Sequence, residues 1–114
     1  METTNHFFTV SKQDDLLMAV FNPECTKVDA KNYSEIEACA MAVVEDMAEN
    51  EFVFDLQNVV YVSSAGLRMF SAISNAAQES GAEYRLINLK KDILKMFQLT
   101  GYSSMFKVEG ELEY

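Results

Sequence analysis

Short hydrophobic runs separated by polar turns open the chain. Residues 7–10 and 16–21 are mostly apolar, and the polar segment 11–15 lies between them. Two such runs joined by a short polar connection are typical of a β-hairpin. The pattern therefore predicts two antiparallel strands that form one edge of a sheet.

The spacing of the apolar residues changes between residues 33 and 50, where they recur every three or four positions with acidic residues between them. This period predicts an amphipathic helix. Asp29 or Asn32 is the candidate N-cap, because a short side-chain oxygen accepts hydrogen bonds from the free N–H groups of a first helical turn. The apolar positions of this helix are Ile36, Cys39, Ala40, Val43, Val44 and Met47.

Residues 52–56 form the next hydrophobic run, which only Asp55 interrupts. A strand that is apolar on both faces usually lies in the centre of a sheet covered by helices, so Asp55 is expected near the carboxyl end of a central strand. A second helix is predicted just after residues 63–66, and it should stop at Gly81, a residue suited to a helix C-terminus. Its apolar stripe consists of Leu67, Phe70, Ile73 and Ala77.

The last third of the chain continues this alternation. Residues 84–88 predict a strand, and residues 92–99 predict a short helix that closes at Gly101. The order strand, strand, helix, strand, helix, strand, helix predicts an α/β fold, with helices packed on a mixed sheet of four to five strands. The inward positions predict a core that includes Ile36, Val43, Val53, Leu67, Phe70, Leu86, Ile93 and Phe97.

Length and composition fit a single domain over residues 1–114. The chain is 49% hydrophobic and 24% charged, with four glycines and one proline. This composition is typical of a chain that folds around its own core. Residues 1–6 and 108–114 are expected to be flexible, because weakly patterned ends often are.

The charge and the cysteine content limit the kinds of partner that the chain can bind and indicate its cellular compartment. Eighteen acidic residues against nine Lys and Arg give a formal net charge of -9, which repels the phosphate backbone of nucleic acids. Cys25 and Cys39 have no CxxC spacing, and no basic segment with a following apolar run opens the chain, so we expect reduced thiols in a cytoplasmic protein. The longest nearly apolar run, residues 38–44, is far shorter than the roughly 20 residues that span a bilayer. No membrane span is expected.

Candidate residues for an enzymatic site are few. His6 is the only histidine, and the chain has no glycine-rich phosphate loop, no GxSxG motif and too few Cys and His for an evident zinc site. We therefore expect no catalytic residue, no bound metal and no cofactor. One alternative concerns Asp29 and Asp55, which could form a carboxylate pair for acid–base chemistry or magnesium. The simpler interpretation is that Asp29 caps a helix or shapes a turn and that Asp55 anchors a loop.

The segment from Val59 to Leu67 brings two hydroxyls, Ser63 and Ser64, to a junction between a strand and a helix. Open α/β sheets bind ligands at such carboxyl ends of strands. From the pattern alone, the simpler interpretation is that one of the two serines caps the helix. A functional role needs further support.

Several short motifs provide this support by their order and spacing. They are Val28-Asp29-Ala30, Asp55-Leu56, Val62-Ser63-Ser64-Ala65-Gly66-Leu67-Arg68, Gly81 ahead of Tyr84-Arg85-Leu86-Ile87-Asn88, and Leu99-Thr100-Gly101. Together they resemble the landmarks of the STAS domain family, and in particular its anti-sigma factor antagonists. The resemblance covers at least residues 55–106 and extends to residues 28–30.

This resemblance implies a phosphorylation site. In anti-sigma factor antagonists the phosphorylated serine lies two residues before the glycine of this turn, which here is Ser64, with Ser63 as the second choice. The aspartate that commonly precedes that serine is replaced by Ser63. The implied protein is not an enzyme. Its implied partners are an anti-sigma factor that acts as a serine kinase and carries the ATP, and a serine phosphatase that removes the phosphate.

The resemblance also implies a partner-binding surface around the serine turn, because a modification controls binding directly only where it touches the interface. The phosphate would join a surface that the chain's many acids are expected to make negative. Two alternatives stay open. One is a STAS-like accessory or scaffold subunit of a lipid-transport or stressosome-type assembly, without phosphorylation. The other, disfavoured because no base is evident, is a small hydrolase that uses Ser64 or Asp55. The predicted partner-binding residues are Asp29, Ser63, Ser64, Ala65, Gly66, Leu67 and Arg68.

Overall fold

The structure, a computed structural model, describes residues 2–111. These residues contain eight strands and three α-helices, with a 3-10 helix at Tyr102–Ser104. In chain order they are β1 (Glu2–Thr4), β2 (Phe8–Gln13), β3 (Leu16–Phe21), β4 (Lys27–Val28), α1 (Tyr33–Asp46), β5 (Glu51–Asp55), β6 (Tyr61–Val62), α2 (Ser64–Glu79), β7 (Glu83–Leu89), α3 (Lys91–Leu99) and β8 (Lys107–Gly110).

Six of these strands form the main sheet, in the order β1-β2-β3-β5-β7-β8. Strands β1, β2 and β3 are antiparallel neighbours, whereas β3, β5, β7 and β8 run parallel. Each parallel neighbour is reached through a crossover that contains a helix, as parallel strands require. The predicted α/β class and mixed sheet are confirmed, with six strands in place of four to five.

The two unpredicted strands of the main sheet lie at its edges. Strand β1 pairs with β2, and β8 pairs with β7, so parts of both ends that were expected to be flexible take part in strand pairing. Their side chains are exposed or only half-buried, which is why hydrophobic patterning gave no signal for them. Residues 1 and 112–114 of the predicted flexible ends lie outside the described residues.

Helix α1 is shorter than predicted and ends at Asp46 rather than at residue 50. The backbone becomes extended at Met47, and the Asn50 N–H donates to the carbonyl of Asp15 in the β2–β3 turn at 3.0 Å. The polar residues after α1 therefore bind a neighbouring turn instead of continuing the helix. None of the helices described in residues 2–111 has the length and hydrophobicity needed to cross a membrane.

Helix α2 begins at Ser64, earlier than its apolar stripe predicted, because the buried side of the helix continues through Ala65 and Gly66. Its C-terminus agrees with the prediction. Gly81 follows the helix with a φ of +85°, and Gly101 follows α3 with a φ of +83°. Both are left-handed conformations that favour glycine at a helix end.

Aromatic rings dominate the core between the sheet and the helices. Phe21 and Phe54 stack with ring centroids 5.2 Å apart, and Phe70 of α2 meets Phe54 edge-on at 5.6 Å. Such geometries add to the free energy gained from burial. Val43 is half-buried and packs against this cluster. The other predicted core residues are fully or nearly fully buried: Ile36, Val53, Leu67, Phe70, Leu86, Ile93 and Phe97.

A second sheet contains only two strands, β4 and β6, and was not predicted. The strands run parallel, with Lys27 opposite Tyr61 and Val28 opposite Val62. Val28 and Val62 are buried, whereas Lys27 and Tyr61 are exposed. This β4–β6 ribbon therefore has an inner face toward the core and an outer face toward solvent.

Candidate functional site

The β4–β6 ribbon places the Asp29 turn beside the serine turn. The Ser63 N–H donates to the Val28 carbonyl at 2.8 Å, and the Val60 N–H donates to the Thr26 carbonyl at 2.7 Å. Because the two strands run parallel, Asp29 and Ser63 follow them at the same end of the ribbon. The structure thus brings together the two segments that the sequence assigned to one surface.

Gly66 allows α2 to start directly against this ribbon. A Cβ atom at this position would lie 2.9 Å from Val62 Cγ1 and 3.0 Å from both the Cγ1 and the carbonyl oxygen of Val28. The Val28 oxygen accepts a ladder hydrogen bond and has little freedom to move. The first turn of α2 therefore packs against the ribbon only with glycine here, and this contact fixes the position of the serines.

Ser63 is the N-cap of α2. Its backbone is extended, with φ -82° and ψ 173°, and its hydroxyl oxygen accepts a hydrogen bond from the Gly66 N–H at 3.2 Å. Caps of this kind satisfy one of the free N–H groups at a helix start. The capping role that the pattern assigned to one of the two serines belongs to Ser63.

Ser64 is the first residue of α2 and is exposed. Its hydroxyl makes no hydrogen bond with any group of residues 2–111. Arg68 follows four positions later, so both side chains lie on the same side of the helix. Arg68 is also exposed. Ala65, Gly66 and Leu67 between them are buried, so these three predicted partner-binding residues shape the junction from the inside and offer little side-chain surface.

Asp29 forms a turn and does not cap α1. Its Oδ1 accepts hydrogen bonds from the N–H groups of Lys31 at 3.0 Å and Asn32 at 3.3 Å. Asn32 occupies the N-cap position, but its side chain accepts from the Asp29 N–H and donates to the Lys27 carbonyl. The turn-forming interpretation of Asp29 is confirmed, and the prediction of a side-chain cap on α1 was wrong because both side chains bind within the turn.

Comparison with known proteins decides the family. A family model described as the STAS domain matches residues 12–113. The chain belongs to the STAS domain family. It is 30% identical over 105 residues to BtrV of Bordetella bronchiseptica, a candidate anti-sigma factor antagonist, and the match covers 92% of this chain and 87% of that protein.

Solved structures share the STAS fold. An anti-sigma factor antagonist domain protein from Planctomyces limnophilus has a TM-score of 0.81 at 11% identity, over 93% of this chain and 91% of the other. SpoIIAA, a cell fate determinant of Bacillus solved in its phosphorylated form, has a TM-score of 0.64 at 14% identity, over 89% of each chain. At identities this low, the similarity shows a shared fold alone.

Asp55 of this STAS domain is buried at the end of β5 and anchors the loop that leads to the serines. Its Oδ1 accepts from the Gln57 N–H at 2.9 Å, and its Oδ2 accepts from Asn88 Nδ2 at 3.0 Å. Both carboxylate oxygens are therefore engaged in structural hydrogen bonds, as the loop-anchor interpretation predicted. Within residues 2–111 no cluster of three or more Asp, Glu, His or Cys could hold a metal ion.

Sequence reasoning missed several exposed residues of the STAS domain near Ser64. Val60 and Tyr61 belong to the apolar run that leads to the serine turn, yet both are exposed. Lys27 and Lys31 flank the Asp29 turn and are also exposed. No sequence pattern marks this group, because it depends on the pairing of β4 with β6. The surface around Ser64 thus carries exposed cations as well as the acids that led us to expect a negative surface.

Cys25 lies just before the ribbon and is buried. Burial raises the pKa of its thiol above the ordinary value of 9.0, and the nearby Asp29 carboxylate raises it further. The protonated form is a poor nucleophile. Cys25 therefore acts as a packing residue next to the site and not as a reactive group.

Proposed function

We propose that this STAS domain is a regulatory binding protein of the anti-sigma factor antagonist type, switched by reversible phosphorylation of Ser64. The observation that carries the proposal is the division of labour between the two serines. Ser63 uses its hydroxyl to cap α2, whereas the Ser64 hydroxyl is exposed and free of hydrogen bonds within residues 2–111. A kinase that modifies Ser64 disturbs no contact of the fold.

The relatives support the same role. BtrV is a candidate anti-sigma factor antagonist, and SpoIIAA has been solved in a phosphorylated form. By analogy, the partners of this chain are an anti-sigma factor that is also a serine kinase and a serine phosphatase that acts on the phosphorylated form. The protein then works in the cytoplasm as a single domain that is a substrate and a binding partner, with no catalytic residue of its own.

The start of α2 suits a phosphate at Ser64. Free N–H groups and the positive end of the helix dipole favour negative charge at this position, and the first turn of α2 contains no acidic residue that would repel it. A phosphate adds about -1.5 to -2 charges at pH 7. We therefore expect the phosphorylated protein to keep its fold, and the change to act at the surface.

The surface that the phosphate would change consists of those predicted partner-binding residues that are accessible to solvent. Asp29 and Ser63 are half-buried, and Ser64 and Arg68 are exposed. A partner docked on this surface would have to remove water from the phosphate, which costs affinity unless the partner presents cations there. A 100-fold loss of affinity requires only about 2.7 kcal/mol of difference in binding free energy.

Mass spectrometry of the protein purified from its native cells tests the site. We expect one phosphate on the peptide that contains Ser64, its loss in Ser64→Ala, and its retention in Ser63→Ala, because Ser63 is engaged as the cap. Phosphate at an unchanged level in Ser64→Ala would refute the switch. A complete absence of phosphate under all growth conditions would instead support the accessory or scaffold function.

A further inference from the structure

Two consecutive apolar side chains are exposed just before the serine turn: Tyr61, on the outer face of the β4–β6 ribbon, and Val60, which directly precedes β6. Val60 is 55% exposed and Tyr61 is 49% exposed. Only two other large hydrophobic residues within residues 2–111 are exposed, Leu99 and Met105. Contiguous apolar side chains on a surface commonly mark a site of protein association. This pair directly precedes the serine turn, and its backbone is held by the ribbon hydrogen bonds.

Three cations belong to the segments that form the ribbon and the serine junction. Lys27 lies opposite Tyr61 in the ribbon register, Lys31 follows the Asp29 turn, and Arg68 lies one helical turn beyond Ser64. None of the three has a carboxylate within ion-pair distance among residues 2–111. Other cations of the same range do form ion pairs with glutamates: Lys12, Arg85 and Lys90.

Within residues 2–111 no neighbouring acid forms an ion pair with these cations. Asp29 lies between Lys27 and Lys31 in the chain, but its Oδ1 accepts two backbone N–H groups. Glu35, in the first turn of α1, makes no ion pair with Lys31 in the described structure. Lys95 and Lys107 also have no ion pair within residues 2–111. Lys27, Lys31 and Arg68 are therefore distinguished by their place in the segments that form the ribbon and the serine junction.

We infer that the partner docks on the outer face of the ribbon with an acidic surface and an apolar pocket that receives the Tyr61 ring. The inference rests on the proposed function for the existence of a partner, and it adds the chemistry of that partner. Aromatic and arginine side chains contribute most to many interfaces, and charge complementarity selects the partner and sets the orientation. A phosphate on Ser64 would face the partner's carboxylates, so repulsion between like charges gives the direction of the switch.

Site-specific photo-crosslinking of the full chain in its native cells tests the docking face. The photoreactive residue p-benzoylphenylalanine replaces Tyr61 in one variant and Asn75, exposed on α2, in the control. We expect position 61 to give a cross-linked protein segment in which Asp or Glu alternates with apolar residues. A cross-link to lipid, to nucleic acid or to a segment rich in Lys and Arg would overturn the inference, as would a yield no higher than at position 75.

The cross-linked protein, once purified, serves as the probe for binding measurements. We expect Lys27→Glu and Lys31→Glu each to weaken binding about tenfold, and Tyr61→Ala to weaken it about 30-fold. The matched control is Lys107→Glu. Lys107 is an exposed cation on the edge strand β8, outside the ribbon, and its substitution should change the affinity less than about twofold. An equal loss from Lys107→Glu would show a general effect of net charge and refute the docking face.

The two proposals fail in different ways. If Ser64 carries no phosphate but position 61 cross-links to an acidic segment, the docking face stands and the phosphorylation switch fails. If Ser64 is phosphorylated but position 61 cross-links to a basic segment, the switch stands and the acidic partner surface is wrong. Repeating the cross-link in a Ser64→Ala background separates these outcomes, because that variant binds without modification.

Discussion

Ser63 and Ser64 show how much the surroundings of a residue decide its role. Both are short hydroxyl residues at a helix start, and the sequence pattern could not assign the cap to one of them. The structure assigns it through the backbone: Ser63 is extended and accepts from the Gly66 N–H, whereas Ser64 already belongs to the helix. The family resemblance pointed to Ser64 for a different reason, its distance from Gly66.

The two serines should therefore differ in their contribution to stability. Ser63→Ala removes the cap of α2 and should lower the free energy of unfolding by about 0.5–2 kcal/mol. Ser64→Ala removes no hydrogen bond and should change it by less than about 0.5 kcal/mol. Urea denaturation of both variants measures the difference. Equal losses would contradict the assignment of the cap to Ser63.

Tyr84 provides a test through pH. Its hydroxyl is buried without a hydrogen-bond partner in residues 2–111, and burial raises its pKa well above the ordinary value of 10.0. The folded-state pKa is thus higher than the unfolded one, so the related stability is complete below about pH 10 and is lost as the pH rises through the folded-state pKa.

Tyr84→Phe should accordingly leave stability at pH 7 unchanged or raise it by up to about 1 kcal/mol, because an unpaired buried hydroxyl is removed. It should also reduce the loss of stability above pH 10. Melting temperatures from pH 7 to 11 measure both effects, with Tyr61→Phe as the exposed control. A loss of stability at pH 7 in Tyr84→Phe would show that the hydroxyl has a partner, and an unchanged alkaline loss would contradict its raised pKa.

At the scale of the elements, the sequence predicted the helices and strands that have a regular hydrophobic pattern, and it missed the short strands that form only by pairing with a distant segment. The helices and the central strands have enough residues for a period of three to four or a continuous apolar run to show. Strands β4 and β6 have two residues each, and their existence depends on contacts between segments far apart in the chain. Candidate residues of the site were therefore found along the chain, whereas the ribbon that assembles them was not.

Gly66 tests the packing of α2 against this ribbon. Gly66→Ala places a Cβ within 3.0 Å of Val28 and Val62, and we expect a loss of about 1–3 kcal/mol in stability even though alanine favours a helix by about 1 kcal/mol. Asn75→Ala, at an exposed position of the same helix, should raise stability slightly. Calorimetric unfolding of the two variants measures both changes in stability. A stabilised Gly66→Ala protein would mean that the helix start does not rest on the ribbon.

At the scale of the whole molecule, charge is unevenly distributed. The net charge of -9 led to the expectation of a negative surface around Ser64, but the residue types alone could not show that the segments carrying Lys27, Lys31 and Arg68 meet at the β4–β6 ribbon. Net charge describes long-range behaviour such as repulsion of nucleic acids. The local arrangement decides what docks.

This arrangement predicts a contrast between two charge reversals. Arg68→Glu should weaken binding to the purified partner about tenfold or more, whereas Glu45→Lys, on the exposed side of α1, should change it less than about twofold. Both substitutions change the net charge by two units, in opposite directions, so salt titrations separate the local effect from the general one. If the two substitutions changed the affinity by the same factor at both low and high salt, the interface would lie elsewhere.

The pairing of β4 with β6 also makes the docking surface a discontinuous epitope. Its residues come from two stretches of chain that meet only when the native fold has formed. A linear peptide covering the serine turn lacks the Asp29 turn and its lysines, and an incompletely folded chain contains them but does not hold them beside the serine turn. In the proposed switch, the kinase and the phosphatase would therefore modify folded molecules and would not recognise nascent or damaged ones. The level of phosphorylation would then report on the folded protein alone.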